Sequence, residues 1–213
     1  MDNDFLKASE LCKNCGLCCS GALFGNAPLL EGEEEKAIEL GIKPVVDEGE
    51  GAFNLPCPHL KGTACSIYPD RPHVCGDYHC LLSSSVLEGE TDFDEAVLDV
   101  ESAKEQAEWL IDNAAYANLE GEDEYKLSDY QAHFKAEYEK DQFNLRYYQN
   151  YFLYKLQVQV EQGKPVSKED LHYAEKTRDY IELIHESFRE TSMLKDYSDF
   201  IESVRGKFFN ILL

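Results

Sequence analysis

After Cys80 this 213-residue chain has no cysteine, so the 133 residues that follow supply no thiol to any site or cross-link. Basic residues are scarce: 20 lysines and arginines stand against 42 acids, a net charge of -22. Charge of that sign repels phosphate backbones and anionic lipid surfaces, so neither nucleic acid nor membrane is expected as a partner. No apolar run approaches the roughly 20 residues needed to span a bilayer. The start, MDNDFLKASEL, lacks the basic segment and apolar core of a secretory leader, so a cytoplasmic chain with reduced thiols is expected. Catalytic signatures are missing too: there is no G-x-S-x-G, no P-loop, no G-x-G-x-x-G after a strand and no H-E-x-x-H.

What is present is concentrated. Cys12, Cys15, Cys18 and Cys19 form C-x2-C-x2-C-C, and Cys57, Cys65, Cys75 and Cys80 follow. Disulfides need an oxidising compartment, and buried filler cysteines do not arrive at such spacing. A two-residue spacer lets both sulfurs of a C-x2-C pair turn toward one ion, so metal ligation is the preferred reading of all eight. Cys18 and Cys19 are adjacent and their side chains leave the backbone in different directions, which gives them separate destinations. Six of seven prolines and nine of 13 glycines precede residue 81. This first part is therefore expected to be loop-rich and fixed by metal more than by regular structure. Within it, residues 1 to 11 read as a polar lead-in and Gly16 as the positive-φ residue of a metal knuckle. EEEKAIEL before Gly41 reads as a short acidic helix, and Val46 to Leu55 as a loop or hairpin.

The second group reads Cys57-Pro58-His59-Leu60, then Cys65-Ser66-Ile67-Tyr68, then Arg71-Pro72-His73-Val74-Cys75 and Tyr78-His79-Cys80. Together with C-x2-C-x2-C-C this resembles the YkgJ-type cysteine-cluster family, over roughly residues 12 to 80 and not recognisably into 92 to 213. The resemblance implies a zinc- or iron-chelating domain, and many members of that family are called iron-sulfur proteins. A related cysteine motif in flagellin lysine N-methylases implies an enzyme role for some members.

Four thiolates complete either a tetrahedral zinc site or a [4Fe-4S] cluster, so eight suffice for two closed sites, the alternative being one cluster plus several structural or redox thiols. The resemblance tips the choice toward iron-sulfur, with zinc as the alternative cofactor. Because eight sulfurs already satisfy two sites, His59, His73 and His79 are expected to hydrogen-bond around the ligands rather than to ligate. Arg71, between Pro69 and Pro72, is placed to hydrogen-bond a cluster sulfur or backbone carbonyls, or to pair with Asp70 or Asp77. Tyr68 and Tyr78 read as packing residues. His133, His172 and His185, on predicted helices, read as surface or packing residues. Ligand sharing between the two cysteine groups is expected, since neither segment closes a four-sulfur site easily by itself.

The serine-rich LLSSSVLEGE, residues 81 to 90, marks a shift to helical periodicity. Thr91 with Asp94 resembles a capping box for a helix of about 92 to 118, carrying Phe93, Val97, Val100, Ala103, Ala107, Leu110 and Ala114. Ser128 with Gln131 starts a second helix with Phe134, Tyr138, Leu145, Tyr148, Phe152, Leu156 and Val160, interrupted near Asp141 and stopped by Gly163 and Pro165. Ser167 and Asp170 cap a third, and Leu194, Tyr197, Ile201, Val204, Phe208 and Ile211 mark a fourth. No stretch alternates convincingly at period two over six residues.

The fold expected is mostly α: a loop-rich cysteine metal-binding module at 1-90, then an acidic antiparallel helical bundle at 91-213. The function expected is metal or cluster binding, with the bundle available to a protein partner. The competing readings are a zinc-binding interaction protein and a cluster-dependent redox or protein-modifying enzyme.

Overall fold

The computed structural model describes residues 3-47, 49-114, 143-189 and 191-209, and they are mostly helical. The polar lead-in is in fact a helix, α1 (Asn3–Cys15), which buries Ala8 and Leu11. Asp4 sits in its first turn and pairs with Lys7 at 3.4 Å, and Gly16 ends it at φ +71. Ala8, Leu11 and Cys15 recur at helical spacing. Counting Cys12 and Cys15 as loop ligands hid that stripe.

Three short strands follow around the acidic helix. In β1 (Asn26–Pro28), β2 (Pro44–Asp47) and β3 (Glu50–Asn54) the order is β1-β3-β2, antiparallel throughout, with Ala27 opposite Phe53 and Val45 opposite Ala52. The hairpin expected near 46 to 55 is therefore present. Strands of three to five residues are too short to show six-residue alternation. The helix α2 (Glu34–Glu39) packs Ala37 with Leu29, Ile42, Phe53 and Leu55 in a small core of its own. A two-stranded ribbon, β4 (Leu60–Lys61) and β5 (Ala64–Cys65), and the short helix α3 (His73–Asp77) carry the later cysteines.

The serine-rich stretch is also a helix, α4 (Leu81–Leu87), burying Leu82, Ser83 and Val86. α5 (Phe93–Asp112) is capped by Asp92, whose carboxylate accepts the Asp94 N–H at 2.9 Å, one residue beyond the Thr91 expected. The apolar positions Val100, Ala103, Ala107, Leu110 and Ala114 are buried as the periodicity required, and Ala96 joins them. The next expected helix start, with Ser128, Gln131, Phe134, Tyr138 and the break near Asp141, lies outside the described residues, as does His133.

Asn144 caps α6 (Leu145–Glu161), and Ser167 caps α7 (Lys168–Leu183) by accepting the Asp170 N–H at 2.9 Å. A π-helical turn, Ile184–Phe188, continues α7, and α8 (Met193–Phe209) buries Tyr197, Ile201 and Val204. α7 packs on α5 and α8, and α6 lies against both α5 and α8.

The core does not stop at residue 90. Ala8, Leu11, Leu17, Ala22 and Leu23 belong to the same buried cluster as Val100, Leu110, Tyr148, Phe152, Tyr173, Ile181 and Tyr197. Helix α1 packs on both α4 and α5. Aromatics fill much of the core: Phe152 and Tyr173 meet edge to face at 4.7 Å, and the Tyr173 hydroxyl donates to the Leu110 carbonyl at 2.9 Å. Such pairs contribute about 0.5–1.5 kcal/mol beyond the area they bury. Tyr197 likewise donates to the Gln149 carbonyl at 2.6 Å.

Candidate metal centre

All eight cysteines line one cavity of about 360 Å³. Its walls come from α1 and the turn after it, the β1-β3 edge, the 57–80 segment, and Val100 and Phe188 of the helical half. Gly16 is confined twice over, by φ +71 and by the Thr63 Cα, which stands 3.0 Å from where its Cβ would be. The turn from Gly16 is closed by Cys19 N–H to the Gly16 carbonyl at 3.1 Å. The Cys57 N–H then donates to the Cys19 carbonyl at 2.8 Å, so the two cysteine groups are joined through backbone.

Electrostatic proximity sorts the thiols into two sets that cut across the sequence groups. Burial pushes Cys15 up to about 12, with Cys80 and Cys12 adding to it, and raises Cys18 well above the usual range, with Cys15, Cys80, Cys19 and Cys12 adding. Burial also raises Cys80, with Cys12 beside it. On the other side burial takes Cys19 to about 11, with Cys57, Cys65 and, last, Cys12 adding to it, and Cys75 to about 12, helped by Cys19, Cys57 and Cys65. Cys57 is raised by burial too, with Cys65 as its thiol neighbour. Most of these couplings group Cys12, Cys15, Cys18 and Cys80 on one side and Cys19, Cys57, Cys65 and Cys75 on the other, with Cys18 to Cys19 and Cys12 to Cys19 acting across the two groups. The adjacent Cys18 and Cys19 fall in different sets.

Groups arranged in this way are costly as free thiolates and well matched to a cation, which reverses the local charge. Several donors already point at the sulfurs. The Ser83 N–H donates to Cys80 Sγ at 3.3 Å, capping α4. Backbone N–H groups of Leu17 on Cys15, and of His59 and Leu60 on Cys57, act in the same direction. Two cations act on the sulfurs as well: Arg71, in the cavity wall, favours a charged Cys19 and Cys75, and Lys104, whose Nζ donates to the Asn14 carbonyl at 3.5 Å, a charged Cys15. Among the described residues no three Cys, His, Asp or Glu side chains are grouped tightly enough to hold a single ion. The sulfurs stand around a common space instead.

The other residues singled out from sequence divide. Arg71 makes no ion pair with Asp70 or Asp77; its guanidinium lies 3.8 Å from the centre of the Tyr68 ring, and Asp77 pairs with His73 at 3.0 Å. Tyr68 and Tyr78 are partly exposed rather than packed inside, Tyr68 meeting Ser9 and Tyr78 standing edge-on to Phe24 at 5.2 Å. His59 is engaged at both ring nitrogens, with the Leu40 carbonyl at 2.6 Å and Ser66 Oγ at 3.4 Å. His79 Nδ1 lies 3.3 Å from Ser83 Oγ, which accepts from Cys12 Sγ at 3.6 Å. Ser83, wholly buried, therefore joins Cys12, His79 and Cys80. Sequence reading missed it because its segment read as a linker. His172 stands edge-on to Trp109, and His185 Nδ1 accepts the Thr191 N–H, both remote from the cavity.

A helical scaffold that turns eight cysteines toward one interior space has the architecture of a cysteine-cluster, metal-chelating domain. The family model CxxCxxCC, described as "Putative zinc- or iron-chelating domain", matches residues 11–108, so that segment of the chain is similar to domains of that description. The match runs beyond the last cysteine, through α4 and most of α5, where the sequence resemblance ended near residue 80. Both helices pack on α1, which explains why the domain needs them. No curated protein and no solved structure matches the chain. Among the described residues no helix is long and apolar enough to cross a membrane.

Proposed function

We propose that this protein carries iron-sulfur clusters, two of the [4Fe-4S] type, one on Cys12, Cys15, Cys18 and Cys80 and the other on Cys19, Cys57, Cys65 and Cys75. The observation that carries the reading is the size of the thiol-lined space. A zinc ion bound at about 2.3 Å by four sulfurs leaves no void between them. A single water-sized site takes about 10–15 Å³, and this cavity is about 360 Å³. Multi-atom clusters match a space of that kind, and four thiolates complete each one. Arg71, Lys104 and the backbone N–H groups facing the sulfurs would offset the thiolate charge and tune the clusters. His59 and His79 would serve as supports rather than ligands. The cysteine-rich part, residues 1-90, would hold the clusters, while the acidic bundle, residues 91-213, would buttress them and offer its surface to a protein partner in the cytoplasm.

The test is anaerobic purification with iron and acid-labile sulfide assays, alone and in single-cysteine variants. The expected result is a coloured protein with about eight iron and eight sulfide per chain. Cys80→Ser and Cys75→Ser should each lose half of this, and the double variant nearly all. A colourless protein with stoichiometric zinc would overturn the cluster reading while leaving the two four-thiol sets standing. Loss confined to the sequence group of the mutated cysteine would overturn the sets themselves.

A further inference from the structure

A second, much smaller cavity of about 10 Å³ lies at the seam between the turn after Cys19 and the bundle. Ala22 and Leu23 line it on one side, and Arg146, Gln149, Tyr180 and Arg189 on the other. We propose that it binds one small monatomic anion of the halide class, held by Arg146, Gln149 and Arg189.

The argument is an excess of donors over acceptors. Arg146 is largely withdrawn from water, and burial, with Arg189 nearby, pushes it down to about 10, so it keeps its charge at neutral pH. Among the described residues no carboxylate pairs with it. Asp196 acts on it only from a distance, and its one side-chain hydrogen bond runs from Nη2 to Thr191 Oγ1 at 3.1 Å. A guanidinium carries five N–H donors, so most of them are unspent. Arg189 lies 4.4 Å over the Phe24 ring and donates Nη1 to the Leu23 carbonyl at 3.2 Å. Gln149, 1 % exposed, leaves its Nε2 buried with no partner.

Each of the acceptors in the wall already holds a hydrogen bond, so donors outnumber the lone pairs left. Ala22 O accepts from the Tyr180 hydroxyl, Leu23 O from Arg189, and Thr191 Oγ1 from Arg146. A water molecule would bring two hydrogens that need acceptors, whereas an anion only accepts. Two cations and an orphaned amide N–H therefore select the anion. Size selects among anions: about 10 Å³ admits one particle of roughly a water's dimensions.

The position gives the ion a task. The Arg146 N–H donates to the Gly21 carbonyl at 3.0 Å, so the same residues already hold the turn that follows Cys18 and Cys19. An anion between them cancels the repulsion of the two guanidinium groups and fastens that turn to α6 and α7.

The test uses the full-length, metal-loaded chain, handled anaerobically. Crystals grown in bromide are expected to show an anomalous peak between Arg146 and Gln149. In solution the thermal midpoint should rise saturably when chloride replaces gluconate at constant ionic strength. Gln149→Leu removes the orphaned donor without leaving a polar group unmet, so it should fold, match the parent in gluconate and lose the chloride response. Arg146→Gln should lose that response too. A cavity without anomalous signal, or a midpoint indifferent to chloride in the parent protein, would overturn the proposal.

Discussion

Asn144 is the residue on which the seam between the cysteine-bearing segment and the bundle can be tested most sharply. It is 3 % exposed, and its side chain makes three hydrogen bonds in three directions. Oδ1 accepts the Tyr147 N–H at 3.0 Å and caps α6, while Nδ2 donates to the carbonyls of Gly25 at 2.9 Å and Leu55 at 2.6 Å. Those two carbonyls lie on either side of β1 and β3, next to Cys57. Replacing Asn144 by alanine removes a cap contributing about 0.5–2 kcal/mol. It also strands the Leu55 carbonyl oxygen, at about 1–3 kcal/mol if water does not reach it, whereas the Gly25 carbonyl keeps the Leu55 N–H at 3.1 Å. These losses share one side chain and do not simply add, so the expected destabilisation is about 2–4 kcal/mol.

Asn144→Asp separates the two contributions. Aspartate caps a helix about as well as asparagine, yet it turns a double donor into a carboxylate facing two carbonyls. It should therefore be at least as damaging as alanine. The assay is urea unfolding of the full-length, metal-loaded chain followed by helical circular dichroism, with metal content matched between variants. An Asn144→Asp protein as stable as the parent would show that the cap is all that matters. A loss below about 1 kcal/mol for alanine would refute the tether altogether.

Two further outcomes follow from the site. Ser83→Ala cuts the link between Cys12, His79 and Cys80 while keeping the backbone N–H on Cys80, and is expected to weaken metal retention about 10- to 100-fold; the read-out is metal loss to a competing chelator, and an unchanged rate would dismiss Ser83 as a support. The metal-free, reduced chain should lose stability in alkali. Its buried thiols hold their protons up to about 12 for Cys15 and Cys75 and about 11 for Cys19, against the usual 9.0. The folded state thus keeps protons that the unfolded chain gives up. Their contribution is intact below about pH 9 and is lost as pH rises toward 12, with buried Tyr180 and Tyr197 acting in the same sense above their own ordinary value. A metal-free chain whose denaturation midpoint is flat from pH 8 to about 11 would contradict this.

The sequence alone determined the class of the fold and singled out the candidate thiols. C-x2-C-x2-C-C and the later C-P-x-L and R-P-x-x-C elements marked the eight thiols as candidate ligands, because thiolate ligation depends on residue type and short spacing, and all eight line one cavity. The apolar stripes of α5, α6, α7 and α8 were legible because 3.6-residue periodicity is local and long. Local signals failed where an element was short or its residues served two purposes. α1 hid behind its own cysteines, α4 behind its serines, and the strands behind their brevity.

Only the tertiary structure decided which cysteines are neighbours. Cys80 joins Cys12, Cys15 and Cys18, while Cys19 turns to Cys57, Cys65 and Cys75, because α1 packs on α4 at one side and the Cys57 N–H binds the Cys19 carbonyl at the other. Those contacts join residues 38 or more positions apart, beyond the reach of any local pattern. The same holds for Arg146, Gln149 and Arg189: nothing in their sequence neighbourhoods marks them, and they meet only because α6 and the end of α7 converge on one turn of the cysteine-bearing segment.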